Sequence, residues 1–193
     1  MRTTLAKLDS SRLTLNESAW LRCQAAVELK DRGDYDRARE VMRPFWNKFG
    51  ERPELAGLNP QMAAEVLLHV GILTRWIGSK NQVKASSQIA SDLISESITY
   101  WESEKDVKKV AAARAELAYC YWREGAFDEA RVTLREALGL LGNNNDEQRA
   151  RALLNSALVE TWAGRLNDAL SILTESLPML EDGQSHAFKG RFH

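Results

Sequence analysis

A near balance of 26 lysines and arginines against 27 aspartates and glutamates, a formal net charge of −1, gives these 193 residues no overall field for holding nucleic acid or an anionic membrane. At 44% apolar residues the chain can bury a core, and its length fits one globular domain or one short solenoid. Two cysteines, Cys23 and Cys120, write no disulfide framework, and neither a signal peptide nor an apolar run of bilayer length is present. The expectation is a reduced, cytoplasmic protein with no membrane and no nucleic-acid partner.

Residues 1–16 alternate polar and apolar groups without a sustained period and read as an N-terminal tail. The first helix is expected to open near Asn16 or Ser18, carry Trp20, Cys23, Ala26, Val27 and Leu29 on its apolar stripe, and stop at Gly33. Its partner begins after Asp34 with Tyr35, Ala38, Val41, Met42 and Phe45 inward. Pro44 should kink or end it, because proline lacks an amide hydrogen and crowds the Glu40 carbonyl.

Gly50 to Leu58 reads as a connector. Asn59 and Pro60 then open a helix as N-cap and first helical residue, and Gly78 is expected to end it. The helix predicted over Lys80–Ser103 places Val83, Ile89, Ala90, Leu93, Ile94, Ile98 and Trp101 on one face and a serine-rich solvated side on the other. Lys105–Glu124 follows with Val107, Val110, Ala111, Leu117, Ala118 and Tyr121 inward. After Gly125 comes Phe127–Leu141, with Ala130, Leu134, Ala137, Leu138 and Leu141. Gly142 and Asn143–Asp146 close that helix and cap the next. The last hairpin, Arg149–Ala163 and Leu166–Leu180, is expected to use Leu153, Leu154, Ala157, Leu158, Leu170, Leu173 and Leu177 as its core. Residues 182–193 read as the start of an incomplete further helix.

One corner recurs: WREGAFDEAR at Trp122–Arg131, RGDYDRAR at Arg32–Arg39 and AGRLNDAL at Ala163–Leu170. Its glycines Gly33, Gly78, Gly125 and Gly164 lie 45, 47 and 39 residues apart (78−33, 125−78, 164−125), which marks a repeat array of unequal units. These corners resemble tetratricopeptide repeats. Ala118, Tyr121, Gly125, Phe127 and Ala130 match in the third repeat, Ala26, Leu29, Gly33, Tyr35 and Ala38 in the first, and Ala157, Gly164, Leu166 and Ala169 in the fourth. In the second, Gly71 and Gly78 fit, but KNQVKA replaces the aromatic and acidic corner. The resemblance covers residues 17–181, with repeats at about 17–49, 60–103, 106–142 and 146–181. It implies an all-α, right-handed solenoid of four antiparallel helix hairpins, the first helix of each lining a concave groove.

The resemblance also assigns groove positions. Trp20, Val27 and Lys30 come first, then Glu65, His69, Ile72, Arg75 and Trp76, then Tyr119, Trp122 and Arg123, then Arg151, Asn155, Leu158 and Trp162. His69, Arg75, Trp76, Tyr119, Trp122, Arg123, Arg151, Asn155 and Trp162 form the candidate partner-binding set, since aromatics beside arginines are what interface hot spots are made from. Some members of the family clamp a C-terminal carboxylate with lysine, asparagine and arginine. Cys23, Val27, His69, Ala112 and Glu116 stand at the matching positions and supply almost none of that chemistry. No catalytic, cofactor or metal site is expected: Glu65 and His69 are not a zinc motif, Asp31, Asp34 and Asp36 lack calcium-loop spacing, and no phosphate loop is present. The expected function is protein interaction, with a peptide or helix of a partner held in the groove, as a sensing or docking part of a larger bacterial-type regulatory protein. The alternative is structural self-association into a homo-oligomer through the exposed end after Leu166–Leu180.

Overall fold

The computed structural model describes residues 13–142 and 147–182 together with Leu8. The side chains of Glu147 and of residues 178–182 are not described. The expectations for the tail before Leu13, for the capping run Asn143–Asp146 and for residues 183–193 lie outside the described residues. The described residues form eight helices and no strand, α1 Leu15–Asp31, α2 Tyr35–Met42, α3 Pro60–Lys80, α4 Ser86–Ser103, α5 Val107–Glu124, α6 Phe127–Leu141, α7 Glu147–Trp162 and α8 Leu166–Asp182. They divide into two compact units, residues 1–104 and 105–193.

In the first unit α1 opens earlier than the periodicity suggests. Thr14 is the N-cap: its hydroxyl accepts from the Glu17 amide at 3.3 Å while the Glu17 carboxylate accepts from the Thr14 amide at 2.8 Å. Asn16 is used elsewhere, its side-chain oxygen accepting from the Asn59 amide at 2.9 Å and so tying the start of α1 to the start of α3. The expected early end at Pro44 is seen, for α2 stops at Met42. The Val41 carbonyl, near the end of α2, accepts from Arg22 Nη1 of α1 at 2.8 Å. The core of this unit draws Cys23, Ala26 and Leu29 from α1, Ala38 and Met42 from α2, and Val66, Val70 and Leu73 from α3, with Trp46 wedged beneath the α2 end.

Gly78 does not end α3. The helix runs on to Lys80, and the corner lies at Asn81–Ala85. At Gly33, Gly125 and Gly164 the chain turns by the same device: φ is +76°, +79° and +76°, and the amide of the next residue bonds the carbonyl five residues back (Asp34 to Leu29, Ala126 to Tyr121, Arg165 to Glu160). This is the Schellman end of a helix. The same pair of bonds appears at Gln82, with Gln82 N–H to Ser79 and Val83 N–H to Gly78, and Gln82 takes φ +53° in glycine's place. The four equivalent corners are therefore 33, 82, 125 and 164, with intervals of 49, 43 and 39 residues (82−33, 125−82, 164−125).

Gly78 instead serves close approach, since a Cβ there would stand 2.2 Å from the Ser86 Cβ, and one on Gly71 would stand 2.8 Å from Ile94 Cγ1. α4 accordingly starts at Ser86, not Lys80, and its serine side is not simply solvated: Ser86, Ser91 and Ser97 are buried, and Ser97 accepts from Trp101 Nε1 at 3.1 Å. Val83, placed inward by periodicity, is exposed in the corner.

The second unit repeats the plan with smaller side chains. Ala111, Ala115 and Ala118 of α5 meet Ala130, Leu134 and Ala137 of α6, and Ala152 and Val159 of α7 close the cluster. Ala118 and Ala130 have no exposed surface, as close helix approach requires, and overpacking at such a contact costs about 1–3 kcal/mol. Two expectations fail here. Val107 is exposed at the first turn of α5, and Leu170 and Leu177 point outward from α8 instead of forming a core with Leu153 and Ala157. Ala169 and Ser176 are the buried positions of α8 among its described side chains, because small residues let it lie close against the preceding helix.

Candidate partner-binding site

The candidate residues fall in both units: His69, Arg75 and Trp76 on α3 of the first, and Tyr119, Trp122, Arg123, Arg151, Asn155 and Trp162 on α5 and α7 of the second. On α3 these side chains are engaged within the unit. Trp76 stacks on Tyr35 at 5.6 Å between ring centroids and 11° between planes, and the Arg75 guanidinium, only 2% exposed, lies 4.9 Å from the Trp76 centroid. His69 is half-buried, with Nε2 3.5 Å from the Glu65 carboxylate one turn back. Of the other α1 positions, Trp20 is exposed and Lys30 is buried beside Asp31 at 2.5 Å.

The second unit gathers its candidates. Tyr119 and Trp122 share the last turns of α5 and meet edge to face at 4.7 Å and 69°. Trp162 ends α7 and meets Trp122 in the same way at 5.8 Å and 69°. Arg123 covers the Trp122 ring from 5.5 Å. Trp162 is 64% exposed, Arg123 is exposed, and Tyr119 and Trp122 are half-buried, so the cluster is anchored below and open above. Asn155 behaves differently from its expectation: it is buried and donates to the Ala115 carbonyl at 3.4 Å, linking α7 to α5. Arg151, one turn earlier on α7, is half-buried.

A charged group absent from the expectations holds the end of α7 in place. The Glu160 carboxylate is buried and accepts from Arg131 Nε of α6 at 2.6 Å and from Arg165 Nε of the following corner at 2.7 Å. Arg131 also pairs with Asp128. Hydrogen bonding to Glu160 raises the Arg131 pKa above its ordinary value, against the desolvation that lowers it. No spacing rule announces this network, because its members lie 29 and 5 residues apart and meet only once α6 and α7 have packed. A shallow cavity of about 300 Å³ beside α2, lined by Asp36, Arg39, Glu40, Arg43, Trp46 and Asn47, mixes both signs of charge and involves none of the candidate residues.

Helix pairs, four Schellman corners and small residues at the crossings define an all-α protein built from repeated helical hairpins. No protein-family model matches the sequence, and no curated protein matches it. Two solved structures titled MamA, from AMB-1 and MSR-1, align at 15% and 16% identity over 84% of this chain and 99% and 97% of theirs, each with a TM-score of 0.34. A likeness at that level carries no argument about fold or partner.

Proposed function

We propose that this chain is a protein-interaction module of the tetratricopeptide kind, a right-handed solenoid of four hairpins whose partner, a peptide or helix, docks on the cluster of Tyr119, Trp122, Arg123 and Trp162. It acts as the sensing or docking part of a larger regulatory protein and carries out no catalysis of its own. The observation behind this reading is Trp162, a large apolar ring left 64% exposed yet fixed edge-on against a second tryptophan. A rigid aromatic group with an arginine beside it gives a partner much contact area at little cost in lost side-chain freedom. The family resemblance puts the same residues on the groove side.

Selection from a random-peptide library on the full chain tests this. Bound peptides should shift tryptophan emission, and a Trp162→Ala, Arg123→Ala double variant should lose at least about tenfold in affinity while keeping its helical circular dichroism. Peptides that bind the double variant as well as the native chain would place the interface elsewhere.

A further inference from the structure

Arg123 decides which sign of charge the aromatic cluster receives, and so sharpens the reading above, on which this inference rests. Two arginines lie on α5. Arg114 pairs with the Glu136 carboxylate of α6 at 2.6 Å. Arg123 is exposed and held 5.5 Å from the Trp122 centroid, and no carboxylate among the described residues bonds it.

The other charges near the rings are spent or turned away. Arg165, in the corner after Trp162, donates to the buried Glu160 at 2.7 Å. At about 100° per residue, Glu124 falls on the opposite side of α5 from Tyr119 and Trp122. Glu116 is half-buried two turns before Arg123, about 10 Å along the axis, which exceeds a Debye length of about 8 Å. The last carbonyls of α5 are bonded as well, that of Trp122 by the Gly125 amide at 3.1 Å and that of Tyr121 by the Ala126 amide at 2.9 Å, so neither is left to repel an anion. A cation has no place here. The three rings meet edge to face at 4.7 and 5.8 Å, which leaves no cage between them for an ammonium group, and a guanidinium already lies over Trp122.

We infer that the partner is a peptide carrying an Asp or Glu side chain for Arg123 beside an apolar side chain for Trp162. A guanidinium laid on a ring holds its donor fork in one orientation, and a carboxylate accepts from two of its N–H groups at once. One guanidinium matches the single charge of a carboxylate, whereas phosphate readers gather several arginines. The guanidinium and the Trp162 ring both lie against Trp122, at 5.5 and 5.8 Å. An extended chain, advancing about 3.3 Å per residue, therefore bridges them within about three residues.

Sequencing the random peptides retained by the full chain tests this. Asp and Glu should be enriched within about three residues of Trp, Phe or Leu, and Lys and Arg depleted. In the tightest peptide, replacing that acid by its amide should weaken binding to the native chain at least about tenfold, and should change binding to an Arg123→Gln chain by less than about twofold. Arg123 is exposed, so this variant should keep the native circular dichroism. Peptides that need Trp162 but carry no acid, or whose amide form loses equally on both chains, overturn the inference and leave the docking site standing. So does a phosphoserine in place of the acid that binds at least about tenfold tighter, since it would make the site a phosphate reader. Peptides indifferent to Trp162→Ala, or no retained peptide at all, overturn both.

Discussion

Gly78 and Ser86 hold α3 and α4 closer together than any side chain at position 78 allows: a Cβ built on Gly78 falls 2.2 Å from both the Cβ and the Oγ of Ser86. Gly78→Ala should therefore lower stability by about 1–3 kcal/mol, read as a drop in the midpoint of urea unfolding. Ser86→Gly in the same chain removes the obstructing atoms and should restore part of the loss. Equal midpoints for Gly78→Ala and the native chain would mean the two helices part at no cost.

Gln82 sits where the other three corners use glycine, at φ +53°, a region that costs an L-residue roughly 1 kcal/mol. Gln82→Gly should relieve that strain and raise stability, by less than this amount because glycine also gains freedom in the unfolded chain. Gly125→Ala works the opposite way. Nothing lies within 4 Å of the position its Cβ would take, so its cost, about 1 kcal/mol, is one of backbone conformation alone. Thermal unfolding of both variants checks the pair, and a destabilised Gln82→Gly would remove strain as the account of this corner.

Glycine's two uses in this chain mark what the sequence discloses and what it hides. Three corners are legible because Gly33, Gly125 and Gly164 stand where a helix must end in a left-handed residue. The second is misplaced by four residues (82−78) because Gly78 is a glycine for a different reason, packing, and the true corner residue, Gln82, has no glycine to mark it. Helix periods locate most core positions but not which side of α8 is covered. Amphipathic spacing identifies an apolar stripe without saying whether a neighbour arrives to bury it, and on α8 the small residues Ala169 and Ser176 take the inner side. For the proposed site, the repeat register names Tyr119, Trp122, Arg123 and Trp162, which lie side by side. It does not tell an exposed ring such as Trp162 from one stacked within its unit such as Trp76, since it places both on the same face of a first helix.

Acid should separate the two members of one surface pair. Arg52 grips Glu96 from the connector, with its Nη2 2.6 Å from Oε1, and that hydrogen bonding holds the Glu96 pKa below its ordinary value. A carboxyl whose pKa is depressed by folding contributes stability above its unfolded pKa of about 4.3, and loses it as pH falls through the lower folded value. Both side chains are half exposed, so the contribution is small, about 0.5 kcal/mol. Glu96→Gln should be slightly less stable than the native chain at about pH 7, and the gap should close below about pH 4. A gap that stays constant through that range would mean the pair does not act through ionisation.

Glu160 joins the stability of the second unit to its candidate site, because it lies two residues before Trp162 and binds both Arg131 and Arg165. Glu160→Gln keeps the shape but removes the charge that both guanidinium groups are bonded to. Losing charge-assisted bonds at a buried position should cost about 2–3 kcal/mol. Since α6, the end of α7 and the corner after it are tied through this one carboxylate, the end of α7 should loosen before the unit unfolds. Amide exchange should then quicken over residues 157–165 ahead of α5, and the affinity of selected peptides should fall more than it does for Arg151→Ala on the same helix. Uniform quickening across the unit would make Glu160 a general support for the fold, with no particular hold on the tryptophan that follows it.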